Sequence, residues 1–491
     1  MTGAWDGLDE LCTQVLAEHG CASVSVAVVE RGELTLARAY GQADVTNRRP
    51  ATPETVYGLA SVTKAFTATA VCLAADEGLL DLDLPIPGSY RWTAPTPRQL
   101  LQHRGGFPAF YNFHYGDGPM PIDIDRYRTL FREPGTDFEY SNIGYRELGR
   151  LLETATGQEL GAYLRERIVE PLGLSSFGYG PVYDGTSPVA QRYSADGRAY
   201  AACHSGHSAA GAGWATAGDV ARFAQAASRL LQPATVAAMY DAVPINEHLG
   251  YGFGRIVSHG AGPVVRSHGG GMGGIAAMMI EIPERELSAA VLANSTDKAA
   301  RDAVVDHLMA VLAPGFHRDQ INPITDPNRP MALAQGDWAG EIGTAEGGIP
   351  LRIRILADRQ VEVRLADGLP VTASATASRR WDLRAAVPMQ LPTADARVNS
   401  PSLALELRSE QNQLVGRATA FKDGDRNGWL GAYLVHPCVL RPPTECELPD
   451  EPCCVSGLRR PAAVGGTACP CPSGRRCSLL LTSDQRGHPF R

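Results

Sequence analysis

The chain has 491 residues, 44% of them hydrophobic and 20% charged, with a formal net charge of −8. That composition is ordinary for a globular protein of two or three domains with a large core, and the acidic balance gives no reason to expect a nucleic-acid partner. No apolar run reaches about 18 residues, which predicts no membrane span. The start, Met1-Thr2-Gly3-Ala4-Trp5-Asp6, is acidic where a secretion leader would be basic and then apolar. Of eleven cysteines, four (Cys12, Cys21, Cys72 and Cys203) are scattered over the first 437 residues, as in a reduced, cytoplasmic protein.

Residues 5 to 19 read as an amphipathic helix, with Leu8, Leu11, Val15 and Leu16 on one side and Gly20 as its stop. Ser23 to Glu30 and Leu34 to Tyr40 flank Arg31-Gly32-Glu33 as a hairpin. From about 62 to 245 the pattern is mostly helical, with helices expected at Pro97 to Gln102, Tyr145 to Thr156 and Asp219 to Leu231. The aromatic loop from Phe107 to Pro121 either walls a pocket or packs on its own core. Strand periodicity returns at Gly250 to Ser258, Pro263 to Ser267, Gly274 to Ile282 and Leu287 to Asn294, and a helix follows from Asp297 to Leu312. The two ends of residues 1–312 therefore share one antiparallel sheet, and the helical middle is an inserted lobe, with the site where lobe meets sheet.

Residues 313–332 are proline-rich and read as a linker. Within 333–440 the segments Leu351 to Leu356, Gln360 to Leu365, Leu403 to Leu407 and Gln413 to Ala420 suggest a small separate β-barrel-like domain. The remainder, 441–491, is rich in Cys, Pro and Arg and reads as a disordered tail. Seven cysteines fall from Cys438 to Cys477 without zinc-ribbon spacing, so no metal and no cofactor are expected.

Chemistry concentrates at Ser61-Val62-Thr63-Lys64, which opens an apolar helix. Residues i and i+3 share a helical face, so the Lys64 amine can reach the Ser61 hydroxyl. Only Lys64, Lys298 and Lys422 are lysines among 45 basic residues. Arginine keeps its proton in a protein whereas a desolvated lysine can lose it, so a lysine held in an apolar helix points to a base. The alternative is that Ser61 caps the helix while Lys64 extends to solvent.

Tyr140-Ser141-Asn142 supplies a phenol that a lysine ammonium could hold partly as phenolate, and an amide able to orient Lys64 and bind a substrate carbonyl. An Asx-type helix cap is the competing reading. Arg266-Ser267-His268-Gly269-Gly270-Gly271-Met272 is expected to end one strand and begin the next. Its glycines allow a substrate backbone to approach, and an N–H near Gly271 could complete an oxyanion hole with that of Ser61.

The order S-x-x-K, Y-x-N, H-x-G resembles the class C β-lactamase-like serine hydrolases over residues 10 to 312. Further family-like phrases are Leu100-Leu101-Gln102-His103, Gly105-Gly106-Phe107-Pro108, Pro134-Gly135-Thr136 and Glu170-Pro171-Leu172-Gly173-Leu174. The resemblance implies an α+β fold in which helices flank an antiparallel sheet of the β-lactamase/transpeptidase type. It implies Ser61, Lys64 and Tyr140 as catalytic residues, and Asn142, His268, Gly270 and Gly271 as substrate-binding. The family's third motif is K-T-G; His268-Gly269-Gly270 lacks the lysine, which implies weaker recognition of a β-lactam carboxylate. The C-terminal segment resembles the lipocalin-like domains of D-aminopeptidases and of penicillin-binding-protein-type thioesterases. The expected activity is an acyl-enzyme hydrolase of an ester, amide or peptide. Alternatives are a transacylase or macrocyclase fed by a carrier protein, and an inactive homologue that binds peptide.

Overall fold

The computed structural model describes residues 5–116, 122–259, 262–321, 327–395, 400–426 and 428–443. Nine antiparallel strands form the main sheet, in the spatial order Arg49–Pro50, Glu33–Asp44, Ser23–Glu30, Leu287–Ala293, Ile275–Ile282, Arg266–Met272, Ile256–Ser258, Leu249–Tyr251 and Val243–Pro244. The N-terminal hairpin thus pairs with the last strand of this part of the chain, with Ala27 opposite Ala290. Its turn is Arg31-Gly32, both with positive φ (51° and 85°), which matches the twist of a tight hairpin.

Both faces of the central strands are buried. Val24, Val26 and Val28 point toward the helices Leu8–Glu18 and Ala299–Leu312. Ala27 and Val29, offset by one residue, join the core that holds the helices Thr63–Asp76 and Ala217–Ala226. Double coverage explains why these strands read as near-continuous apolar runs rather than alternating ones. Phe66 stacks on Phe223 at 3.5 Å between ring centroids, locking the Ser61-bearing helix onto its neighbour.

The inserted lobe is largely helical but also carries a three-stranded sheet (Tyr57–Gly58, Gly213–Ala215, Gly178–Tyr179) and a two-stranded one (His114–Tyr115, Cys203–His204). Such two- and three-residue strands leave no periodic signal. The expected strand Gly250 to Ser258 is two strands, because Phe253 and Gly254 turn the chain between Leu249–Tyr251 and Ile256–Ser258. The strand expected at Pro263 to Ser267 lies further on, at Arg266–Met272, so the His268 motif sits within a strand rather than between two. Phe107, Phe110 and Phe113 of the aromatic loop are core residues, and Tyr111 alone of the loop's described aromatics faces the main cavity.

Residues 336–441 form a closed eight-stranded antiparallel barrel. Leu351, Ile353, Leu403, Leu405 and Leu407 alternate into its filled interior. Cys438 belongs to its last strand, Tyr433–Arg441, and is buried, apart from the tail with which its spacing grouped it. Cys446, Cys453, Cys454, Cys469, Cys471 and Cys477 lie outside the described residues. Among the described residues no helix is long and apolar enough to cross a membrane.

Gly270 lets the Arg266–Met272 strand lie against the turn that carries Ser61: a Cβ there would meet the Leu59 carbonyl oxygen at 2.2 Å. That neighbour is backbone and cannot swing away. Gly270→Ala is expected to cost about 1–3 kcal/mol, the range for overpacking, read as a lower denaturation midpoint by circular dichroism. A midpoint equal to wild type would show that strand and turn are not in contact.

Candidate active site

Ser61 lies in a single 3-10 turn, Ala60–Val62, that runs directly into the helix Thr63–Asp76. Ala60 has φ +44°, a conformation rare for a residue with a side chain, and the strain falls one residue before the hydroxyl. Lys64, one turn on, is fully buried. Its Nζ lies 3.1 Å from Ser61 Oγ, 2.7 Å from Asn142 Oδ1 and 2.9 Å from the Ala210 carbonyl oxygen. The segment carrying Ala210 is fastened to the same helix, with Thr67 Oγ1 donating to Ala209 O and Gly213 N donating to Thr63 Oγ1. No carboxylate pairs with Lys64 among the described residues. Burial therefore drives its pKa well below the ordinary lysine value.

Tyr140 packs its ring 4.7 Å from the Lys64 nitrogen. Burial pushes its phenol well above the usual tyrosine pKa, with Tyr111 adding to the rise and a hydrogen bond with Ser61 opposing it. Burial thus acts on both groups in the same sense, lowering the Lys64 pKa and raising that of Tyr140, and so favours the uncharged form of each.

Asn142 begins the helix Asn142–Thr156, whose N-cap is Ser141, with the Ser141 hydroxyl accepting from Gly144 N. The capping reading and the functional reading thus divide between adjacent residues. Asn142 Oδ1 accepts from Lys64, and Nδ2 donates to Phe110 O at 2.7 Å.

His268 is buried. Its Nδ1 bonds the Gly269 carbonyl oxygen at 2.8 Å, so that nitrogen carries the proton, and Nε2 accepts from the Tyr251 hydroxyl at 2.9 Å. Burial pulls the imidazole down to about 3. His268 is therefore an uncharged acceptor that orients Tyr251, not a cation standing in for the lysine of K-T-G. Ser61, Tyr140, Tyr251, His268, Gly270 and Gly271 all line one cavity of about 520 Å³, a size suited to a small ligand. Asn142 and Lys64 lie behind the wall.

Sequence reasoning missed Tyr251 and the position of His103. The His103 ring packs at a tilt with its centroid 4.2 Å from that of Tyr140 and 4.7 Å from that of Tyr251, and its Nδ1 accepts from Ser141 N at 3.0 Å. It thereby braces the loop that presents Tyr140. The phrase Leu100-Leu101-Gln102-His103 was the available signal, but only tertiary contact shows its use. Among the described residues no group of three or more His, Cys, Asp or Glu is arranged to hold a metal.

The barrel grips the same loop and, through Tyr111, the aromatic loop as well. Arg380 Nη1 donates to Phe138 O at 2.9 Å, Tyr111 and Tyr433 exchange backbone hydrogen bonds, and Arg417 pairs with Glu139. Burial would raise the Glu139 carboxyl, but Arg417 and Arg132 outweigh it and hold its pKa below the ordinary value.

A family model described as Beta-lactamase matches residues 8–313. The chain belongs to that family, within the serine acyl-transfer hydrolase class. Penicillin-binding protein 4* of Bacillus subtilis is 25% identical over 353 residues, spanning 65% of this chain and 76% of the relative. Unguisins hydrolase ungD' of Aspergillus campestris is 33% identical over 189 residues, 34% of this chain and 35% of that protein. Among solved structures, SurE superposes with a TM-score of 0.61 at 23% identity, covering 88% of this chain and 99% of SurE. The D-amino acid amidase of Ochrobactrum anthropi SV3 does so at 0.53 and 25% identity, covering 62% and 99%.

Arg417→Met removes one partner of a buried carboxylate beside Tyr140. Breaking such a pair costs about 3–5 kcal/mol, and Arg417→Met/Glu139→Gln should recover part of the loss. Chemical denaturation checks both; a single variant as stable as wild type would show that the ion pair does not form.

Proposed function

We propose that this chain is a serine acyl-enzyme hydrolase of an ester, amide or peptide, its chemistry carried by residues 1–312 and its Tyr140 loop braced by the barrel. The observation that carries the reading is the buried amine of Lys64, 3.1 Å from the Ser61 hydroxyl and without a carboxylate partner among the described residues.

In this reading Ser61 Oγ attacks the carbonyl carbon as its proton passes to the neutral Lys64 amine. The oxyanion is held by the backbone N–H groups of Ser61 and Gly271. Collapse of the tetrahedral intermediate breaks the bond to the leaving group. That group takes a proton from the Tyr140 phenol, and the Lys64 ammonium, whose nitrogen lies 4.7 Å from the Tyr140 ring, returns one to it. Asn142 keeps the Lys64 amine aimed at Ser61 throughout. Water then attacks the acyl-enzyme with the proton transfers reversed, and an amine attacking in place of water would make the same centre a transacylase. The tilted packing of His103 against Tyr140 and the burial that raises the Tyr140 pKa support a phenol held in place as a proton donor.

The test is intact-protein mass spectrometry of wild type and Ser61→Ala after mixing with an activated ester, a D-Ala-D-Ala peptide, a β-lactam and a peptidyl thioester. A mass gain in wild type that Ser61→Ala lacks is expected, and no adduct or turnover with any donor would favour a binding protein instead. Lys64→Arg keeps a positive charge that cannot be shed, so acylation should fall by about 10²–10⁴-fold. Because the base is the deprotonated lysine and its pKa is lowered, the acylation rate of wild type should hold level as pH falls through 10 toward neutrality. It should drop only below that lowered pKa. A rate that declines steadily below pH 10 would mean an ordinary, charged lysine.

A further inference from the structure

One residue holds the chain on both sides of the Tyr140 phenol. The His103 carbonyl oxygen accepts from Glu139 N at 2.8 Å, and its Nδ1 accepts from Ser141 N at 3.0 Å. The N–H groups of the residues before and after Tyr140 therefore both end on His103, whose ring packs against the phenol ring between them. The His103 backbone is turned back to do this, at φ +55°. Of ten residues other than glycine with positive φ among the described residues, eight lie in turns between paired strands. The other two are Ala60, beside the nucleophile, and His103, beside the phenol. Strain of this kind persists where the surrounding structure fixes it, and here it falls twice at one centre.

The imidazole is committed to the same loop. Because Nδ1 accepts from Ser141, the neutral ring carries its proton on Nε2. Burial pulls its pKa well below the ordinary histidine value, which preserves that form. A second proton would have to enter at Nδ1 and displace the Ser141 N–H. Nε2 is buried and has no hydrogen-bond partner among the described residues. It belongs to a ring surrounded by those of Tyr140, Tyr251 and Tyr145, at 4.2, 4.7 and 5.0 Å between centroids. The one hydrogen bond of the imidazole among the described residues thus runs to the Tyr140 loop, with nothing drawing the ring elsewhere.

We propose that His103 is the positioning residue for proton delivery to the leaving group, fixing the Tyr140 hydroxyl at the departing atom while itself lying off the wall of the Ser61 cavity. The inference rests on the acyl-transfer reading, in which Tyr140 gives that proton. When the bond from the acyl carbon to the leaving oxygen breaks, the electron pair stays on the oxygen. A nitrophenolate keeps that pair and departs without a proton, whereas an alkoxide must receive one. A misplaced phenol therefore slows alkyl esters and spares nitrophenyl esters, which a general loss of structure does not do.

The experiment measures kcat/KM, which covers the steps through acylation, for ethyl and para-nitrophenyl esters of acetate and of N-acetylalanine in both stereochemical forms. The proteins are wild type, His103→Leu, His103→Asn, Tyr140→Phe and His103→Leu/Tyr140→Phe. His103→Leu should raise the nitrophenyl-to-ethyl ratio by about tenfold or more. Asparagine tolerates positive φ and offers an oxygen to Ser141 N, so His103→Asn should return the ratio toward wild type. Tyr140→Phe should raise it at least as far as His103→Leu, and the double variant no further. Equal losses on both esters in His103→Leu, or a further rise in the double variant, overturn the proposal. A raised ratio in Tyr140→Phe with none in His103→Leu overturns it and leaves the acyl-transfer reading standing. An unchanged ratio in Tyr140→Phe, or no turnover of any ester, removes the reading and the proposal together.

Discussion

Desolvation of a single amine is the constraint on which the rest of this structure depends. Lys64 is enclosed by the Thr63–Asp76 helix, the Ser208–Gly213 segment, the rings of Tyr140 and Tyr145, and Asn142, all contributing dipoles or π faces and none a negative charge. A carboxylate at any of these positions would pin the lysine as ammonium and leave Ser61 a passive hydroxyl. Neutral acceptors allow the amine to lie beside the serine as a base. The same logic extends outward: His103, His207 and His268 are all buried and all pushed toward the neutral form. The groups packed directly against Lys64 are polar in their hydrogen bonding and none of them is a carboxylate.

Rigidity around this centre is supplied from several directions. The main sheet brings Gly270 against the Leu59 carbonyl, which sets the distance between the Arg266–Met272 strand and Ser61. The barrel, far along the chain, closes on the Phe138–Tyr140 loop through Arg380 and Arg417, while Trp381 lies between Arg417 and Arg132 at 5.1 and 5.5 Å from its ring centroid. Charge that would be harmful beside Lys64 is placed one residue away, at Glu139, where two arginines neutralise it. The barrel interior is packed with Leu, Ile and Val.

Local chemistry was legible in the sequence wherever the partners are close along the chain. Ser61 and Lys64 are three apart on one helical face, so their spacing implied their meeting, whereas Tyr140 and Asn142, which flank a helix cap, were joined to them by the order of the motifs. The main-sheet strands and the long helices were legible because burial on both faces leaves strong apolar runs. Residues recruited by tertiary approach were not: Tyr251 comes from a three-residue strand, and His103 follows a five-residue helix. In the barrel, Val371–Thr376 is Ala, Ser and Thr after its first residue, and Tyr433–Arg441 contains Pro437, so neither carries the apolar alternation that revealed Gln360–Leu365.

The central claim is that Lys64 is uncharged at rest, and the scarcity of lysine makes it directly measurable. With 15N-labelled lysine only three side-chain signals exist, from Lys64, Lys298 and Lys422, and the signal absent from Lys64→Arg identifies the one in question. Titrated by NMR, it should already report a neutral amine at pH values where Lys422 is still an ammonium, with its midpoint well below 10.5. A Lys64 midpoint at or above the ordinary lysine value would contradict the account, because a charged lysine cannot take the proton of Ser61.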